Sequence, residues 1–290
     1  MNRLSKLSIL FALTFIFLTS YTVGESSNTS VLHHTSKPVC KKTKPNIFSY
    51  KPIIAEPRID HLQMIGKAGK YGVEGSNDNE RLYGMVLRTL RFQNITRKVE
   101  KKYGIAQNLI LAMIMQETGG VDVLTNGQND GGVGLCHMQG STSKEFGLKT
   151  YKGCDQLRCT KHGKALRKLV EKHNYDRKQL VKYDDRFQPI LNIDAVGRML
   201  SCYKYPKVKN FYMEWSSAIY RYAGRYNYRK YWRNVQYFKK ILNDPKMIDK
   251  VRKEFNRRNT HLKINGKKSK FDDYIKMHQD QNINYGLNSY

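Results

Sequence analysis

From about Asn79 onward, apolar positions recur at helical spacing. Leu82, Met85, Val86, Leu90, Ile95 and Val99 follow the three-and-four rhythm that lays one apolar stripe along a helix, until Tyr103-Gly104 interrupts it. This predicts a first long helix with room for a kink. A second, more apolar helix is predicted over 107–117, closed by Gly119-Gly120, because glycine tolerates the left-handed turn that ends many helices. Further helices are predicted at about 141–146, 163–173, 190–202, 213–223 and 228–242. Strand alternation of comparable strength is absent, so the expected fold class is mostly α. The Gly, Asn and Asp content of 125–134 makes that stretch a loop, with room for a short hairpin.

The two ends read differently. Residues 1–24 combine a short basic start at Arg3 and Lys6, an apolar run from Leu7 to Leu18, and a small or polar flank, Thr22-Val23-Gly24. That pattern predicts a secretory signal peptide, since the run is short for a membrane span. The first cysteine, Cys40, is too distant to suggest a lipid-modified N-terminus. The expected location is exported, periplasmic or extracellular, and no stable transmembrane segment is expected once the signal is removed. Residues 25–77, rich in Ser, Thr, Lys, Pro and Gly, read as a linker or loosely packed arm. Residues 78–244 hold the helical pattern. Residues 245–290 carry eleven Lys or Arg against five Asp or Glu and few apolar side chains, which predicts a basic tail, helical or without fixed structure.

The net charge of +28 demands anionic surroundings or an anionic partner. With an export signal, the acidic polymers of an envelope fit better than nucleic acid. Of the five cysteines, Cys40, Cys136, Cys154, Cys159 and Cys202, the close pair Cys154 and Cys159 are candidate disulfide partners in an oxidising compartment. Together with His162 they also form a small Cys/His cluster, but it lacks the usual two-residue spacing and an obvious fourth ligand, so no metal is expected. His33, His34, His162, His173, His261 and His278 show no partner spacing.

On the second helix, Ile110, Met113 and Ile114 precede Glu117 by seven, four and three residues, so the carboxyl is set into the apolar stripe. Burial disfavours the ionised form, which would let Glu117 hold a proton near neutral pH and act as a general acid. A helix-terminal glutamate bonded to nearby backbone is the plainer alternative.

The run Tyr103-Gly-Ile-Ala-Gln-Asn-Leu-Ile-Leu-Ala-Met-Ile-Met-Gln-Glu117-Thr-Gly-Gly, followed by Gly132-Val-Gly-Leu-Cys-His-Met-Gln139 and Thr142, resembles the soluble lytic transglycosylase family, which has a lysozyme-like fold. Asn192-Ile193 is similar to the family's Asn-Ile segment, and Tyr220-Arg-Tyr-Ala-Gly224 to its Tyr-Asn-Ala-Gly segment. The four motifs occur in the family's order, over about residues 90–242. The resemblance implies Glu117 as the catalytic acid and a substrate site drawn from Thr118, Gly134, Leu135, His137, Gln139, Asn192, Tyr220, Tyr222, Ala223 and Gly224, with no cofactor or metal. Several positions depart from the pattern. Thr118 stands where Ser is common. Without a gap His137 fills the glutamine slot and Thr142 meets the family's later threonine, whereas a two-residue insertion returns that role to Gln139. Val196 stands at a usual glycine, with Gly197 beside it. Tyr222 stands at the family's Asn, its tyrosine maps gaplessly to Arg221, and the tyrosine that positions the acid is assigned to Tyr220 or Tyr222.

The implied reaction cleaves peptidoglycan glycan strands. Glu117 protonates the oxygen joining N-acetylmuramic acid to N-acetylglucosamine. As a carboxylate it then takes the proton of the muramic 6-hydroxyl while that oxygen closes a 1,6-anhydro ring. One protein carboxyl suffices. A second one, Asp122 or Asp130, would instead permit hydrolysis of the same bond, as in goose-type lysozymes. A wall-binding protein without activity and, on charge alone, a nucleic-acid-binding protein are the readings from other classes. Tyr212, Trp215, Tyr220, Tyr222, Tyr226, Tyr228, Tyr231 and Trp232 are divided between core and a sugar-binding groove, with about half expected in each.

Overall fold

The apolar rhythm of residues 79–103 folds as two helices, α1 (Asp78–Leu90) and α2 (Gln93–Lys102). The break falls at Arg91-Phe92, where the Arg91 guanidinium takes the Arg88 carbonyl (3.0 Å) and reaches Gly120 O (3.0 Å). A computed structural model describes residues 67–68, 73–74, 78–123, 129–152, 158–204, 215–224, 228–258, 260, 263–264, 267–268 and 270–283. The expected leader, most of the expected arm and Cys40 lie outside them.

Helix α3 (Leu109–Thr118) is the apolar helix that ends at the proposed acid, and every residue from Leu109 to Met115 is buried. Its first amides have no helical partner of their own. Buried Glu100 on α2 supplies one, its carboxylate accepting Asn108 N–H (2.8 Å) and Ile110 N–H (2.8 Å). At the other end Gly119 adopts the expected left-handed conformation (φ 59°), and its carbonyl accepts Arg88 Nε (3.0 Å). Removing the Glu100 carboxylate strands two buried amides. Glu100→Ala is therefore expected to lower unfolding stability by about 2–3 kcal/mol, read from urea midpoints.

Helices α4 (Gly140–Glu145), α5 (Thr160–Lys172), α6 (Arg177–Leu180), α7 (Pro189–Tyr203), α8 (Ser216–Ala223) and α9 (Tyr228–Leu242) follow, and among the described residues the fold is mostly α. Helix α3 packs most extensively on α9, and α7 bridges α2 and α8. Gly197 lets α7 approach α2 closely, because a Cβ there would run into Val99 and Tyr103. A smaller apolar cluster, including Val133, Leu166, Val170, Leu180 and Phe187, sits beneath α5 and α6. Among the described residues, strands form two short antiparallel pairs, β1 (Lys67–Ala68) with β2 (Val73–Glu74) and β3 (Lys263–Ile264) with β4 (Lys267–Lys268).

The C-terminal segment takes the helical one of the two forms expected of the basic tail, and its helices pack on the core. It forms α10 (Pro245–Arg258) and α11 (Phe271–Ile283), and Val251, Phe255, Phe271 and Tyr274 are buried in the main core. Four apolar side chains at helical spacing anchor two helices whose other positions are largely polar or charged, and Met247, Ile248, Ile275 and Met277 pack beside them. No helix among the described residues is long and apolar enough to cross a membrane.

Candidate active site

The loop after α3 is built by a buried ion pair. Asp184 and Arg186, on the turn before α7, are both fully buried, with Arg186 Nη2 2.7 Å from Asp184 Oδ2. The guanidinium also donates from Nη1 to Gly131 O and Met138 O, each at 2.8 Å, fixing both ends of the 131–138 segment. Its Nη2 meets His162 Nε2 at 3.0 Å. Burial and the neighbouring Arg186 charge push the His162 imidazole toward its neutral form, so Nε2 accepts here. Sequence spacing gave His162 no role, because its partner lies on a distant turn.

Within this frame, Val133 and Met138 form a two-way backbone bridge around Gly134-Leu135-Cys136-His137, a tight turn just beyond the predicted 125–134 loop. Gly134 has φ 77°, and a Cβ there would overlap the Arg186 carbonyl oxygen. The turn is held from three helices. The Thr118 hydroxyl donates to Leu135 O (2.9 Å), Asn192 Oδ1 accepts Cys136 N–H (2.9 Å), and the Tyr222 hydroxyl donates to Cys136 O. Thr118, Gly134, Leu135 and Asn192 thus form the wall behind the site and do not line it.

A cleft of about 580 Å3 opens in front of that wall. Of the residues singled out in the sequence, Glu117, His137, Gln139, Tyr222, Ala223 and Gly224 line it. His137 and Gln139 both face the cleft, so the gapped and gapless alignments each bring a polar side chain to the same place. Tyr220 is not among the lining residues. It is 39% exposed and packs edge-on against Tyr228, with ring centroids 5.4 Å apart. Three tyrosines line the cleft, Tyr203, Tyr222 and Tyr231, and the rings of the last two lie 5.8 Å apart. Tyr231 was legible only as one member of the aromatic set. Of the others, Trp215 is buried, Tyr228 and Trp232 pack partly buried against the core, and Tyr212 and Tyr226 lie outside the described residues.

Glu117 sits partly buried in the cleft wall at the end of α3. Burial raises its proton affinity, opposed by the His137 charge and by the Tyr231 and Tyr222 hydroxyls. Burial also pushes Glu100 to about 7, but backbone amides occupy that carboxylate and it does not line this cleft. Glu117 is the raised carboxyl that a ligand can reach. The Tyr231 hydroxyl has no hydrogen bond of normal geometry, so its proton is available to a Glu117 carboxylate. Tyr231→Phe is expected to remove that help. Glu117 would then hold its proton to higher pH, moving the alkaline limb of a rate profile upward while the maximal rate falls about tenfold.

Asp130 lines the same cleft and is tied to His137, whose Nε2 lies 3.2 Å from Oδ1 and 3.3 Å from Oδ2. Gly132 N–H donates to the same carboxylate at 3.0 Å. Burial works against ionised Asp130, but the His137 and Gly132 bonds outweigh it and hold the carboxyl at about 2. Burial likewise opposes the His137 imidazolium, and the Asp130 bond together with the nearby carboxylates raises its proton affinity overall. His137 takes a left-handed backbone (φ 49°) to reach this position. Asp122, the other candidate second acid, is ion-paired with Arg177 and does not line the cleft.

The suggested Cys154–Cys159 disulfide is corrected. Cys159 is not part of a disulfide and Cys202 is disulfide-bonded, while Cys154 lies outside the described residues. Four-residue spacing placed Cys154 and Cys159 near each other in sequence without fixing which cysteine Cys202 draws in. The cleft's polar set contains acid, base and donor groups suited to proton transfer. Compared with known proteins, the chain matches no family model, no curated protein and no solved structure.

Proposed function

We propose that this chain is a lytic transglycosylase with a lysozyme-like catalytic domain, which cleaves the β-1,4 bond between N-acetylmuramic acid and N-acetylglucosamine. The observation that carries this reading is Glu117: a carboxyl whose proton affinity burial raises, at the end of a buried apolar helix, opening into a cleft with Tyr222 and Tyr231 beside it. Its proton goes to the glycosidic oxygen, and positive charge develops at the anomeric carbon of the muramic ring. The carboxylate left behind is stabilised by the Tyr231 hydroxyl and by His137. It then accepts the proton of the muramic 6-hydroxyl as that oxygen bonds to the anomeric carbon, giving a 1,6-anhydro end. The protein is proposed to act on the wall after export.

A second reading, hydrolysis of the same bond, is favoured by one observation. Asp130 is an ionised carboxylate in the same cleft and could direct a water. Against it, both Asp130 oxygens lie close to His137 and one also accepts the Gly132 amide. Mass spectrometry of muropeptides from digested sacculi separates the two, because anhydro ends are lighter than hydrolysed ends by one water. Hydrolysed ends alone would remove the transglycosylase reading in favour of the hydrolase. Sacculi left intact by the purified protein would remove both.

A further inference from the structure

Glu117 sits on the last turn of α3, and helix ends fray. The chain then leaves through Gly119 (φ 59°) and Gly120 (φ 79°), residues with the widest backbone freedom. A proton donor placed there needs an outside restraint, because an error of about 1 Å in the position of a reacting group can cost about a hundredfold in rate. Two arginines at the end of α1 supply one. Arg88 Nε donates to Gly119 O and Arg91 Nη2 to Gly120 O, each at 3.0 Å. Arg91 Nε also donates to Arg88 O (3.0 Å), which ties the two donors together. The backbones meet at the same place: a Cβ on Gly120 would lie 2.6 to 2.8 Å from Thr89 N, Arg88 C and Arg88 Cβ. Thr118, between the acid and these glycines, is held separately through its bond to Leu135 O. Packing alone does not call for guanidinium groups here. Arg88 is fully buried, its Nη1 and Nη2 have no hydrogen-bond acceptor, and burial and the Arg91 charge push it down to about 9. Apolar side chains of similar volume often fill such a site without loss of stability, but they cannot hold a carbonyl.

We propose that Arg88 and Arg91 are positioning residues for Glu117: they hold the Gly119 and Gly120 carbonyls so that the end of α3 presents the carboxyl to the cleft in one orientation. This rests on the glycan-cleaving reading above. Neither arginine lines the cleft, so both act through the backbone that follows the acid.

Arg88→Met and Arg91→Met, made in the full chain, keep much of each side chain's volume and remove the donor. Each is expected to lower kcat on soluble glycan strands about thirtyfold per folded molecule and to leave KM within about twofold of the parent, because the residues lining the cleft are unchanged. A second readout needs no turnover. In protein with 13C-labelled glutamate side chains, the Glu117 carboxyl signal is assigned by its absence from Glu117→Gln and titrated without ligand. It is expected to titrate above the ordinary carboxyl range in the parent and to move toward that range in both methionine variants, as the released turn lets water reach the carboxyl. Arg88→Lys and Arg91→Lys keep a buried cation but lose the rigid fork, and are expected to shift both readouts in the same direction by less, which keeps the test decisive if a methionine variant does not fold. Rates that fall only in proportion to folded protein with the Glu117 titration unchanged, or a rise in KM at constant kcat, would overturn the inference. Parent protein is assayed on sacculi in parallel. An unchanged titration with cleavage intact removes only this inference. Sacculi left whole by a parent whose Glu117 titration still responds to the arginines remove the reading beneath it and leave the restraint on the carboxyl standing.

Discussion

Glu117→Gln is expected to lower muropeptide release from sacculi about a thousandfold, with the fold intact. The amide keeps the shape and the hydrogen-bonding capacity of the carboxyl but has no proton acidic enough to give to a glycosidic oxygen, and positioned acid–base catalysis contributes about a hundred- to ten-thousandfold. It also removes a group whose ionised form is disfavoured by burial, so the thermal midpoint should stay level or rise. Asp130→Asn supplies the contrast. If Glu117 works alone with the muramic 6-hydroxyl, losing the Asp130 charge should cost far less than losing Glu117 and should leave anhydro products. If Asp130 directs a water, the two substitutions should be comparably damaging. Release by Glu117→Gln within tenfold of the parent would rule out Glu117 as the acid.

The pH dependence follows from the same arrangement. Glu117 must be protonated to donate, and its proton affinity is raised, so activity should extend upward from the ordinary carboxyl range and fall as pH passes the elevated value. His137 pulls the other way. As it loses its proton at higher pH, its opposition to the Glu117 proton disappears, which softens the alkaline decline.

Local periodicity made α1, α2, α3, α7 and α9 legible, because each carries its apolar stripe within a dozen or so residues. Glu117 was legible for the same reason: its neighbours at three, four and seven residues are on the same face. The break at Arg91-Phe92 was not, since it depends on a carbonyl of Gly120 that is near only after α3 has folded back. Helices α10 and α11 were obscured by charge. Their buried positions Val251, Phe255, Phe271 and Tyr274 are few and are set among polar and charged residues. Tyr231 reaches the acid through the α3–α9 packing, and Asp130 meets His137 only once the 131–138 turn is closed. Such contacts belong to tertiary structure, and turn composition in Asn129-Asp130-Gly131-Gly132 gave an ordinary explanation of the same aspartate.

Arg186→Met is expected to be the most destabilising single change in this region, lowering unfolding stability by about 3–5 kcal/mol. The side chain is fully buried, and its removal leaves Asp184 as an uncompensated buried carboxylate while Gly131 O and Met138 O lose their donor. The Asp184 carboxylate would retain the amides of Arg186 (3.0 Å) and Tyr151 (2.9 Å) but no counter-charge. Activity should suffer beyond the loss of folded protein. The 131–138 turn carries His137 and positions Cys136, the backbone that Tyr222 holds, so the cleft loses definition even in molecules that remain folded. Asp184→Asn added to Arg186→Met removes the stranded charge and should recover part of the stability without recovering the turn. Urea unfolding and muropeptide release, measured on the single and double variants, separate the two contributions. Equal recovery of stability and activity in the double variant would mean that the buried charge alone mattered and that Arg186 does not hold the turn.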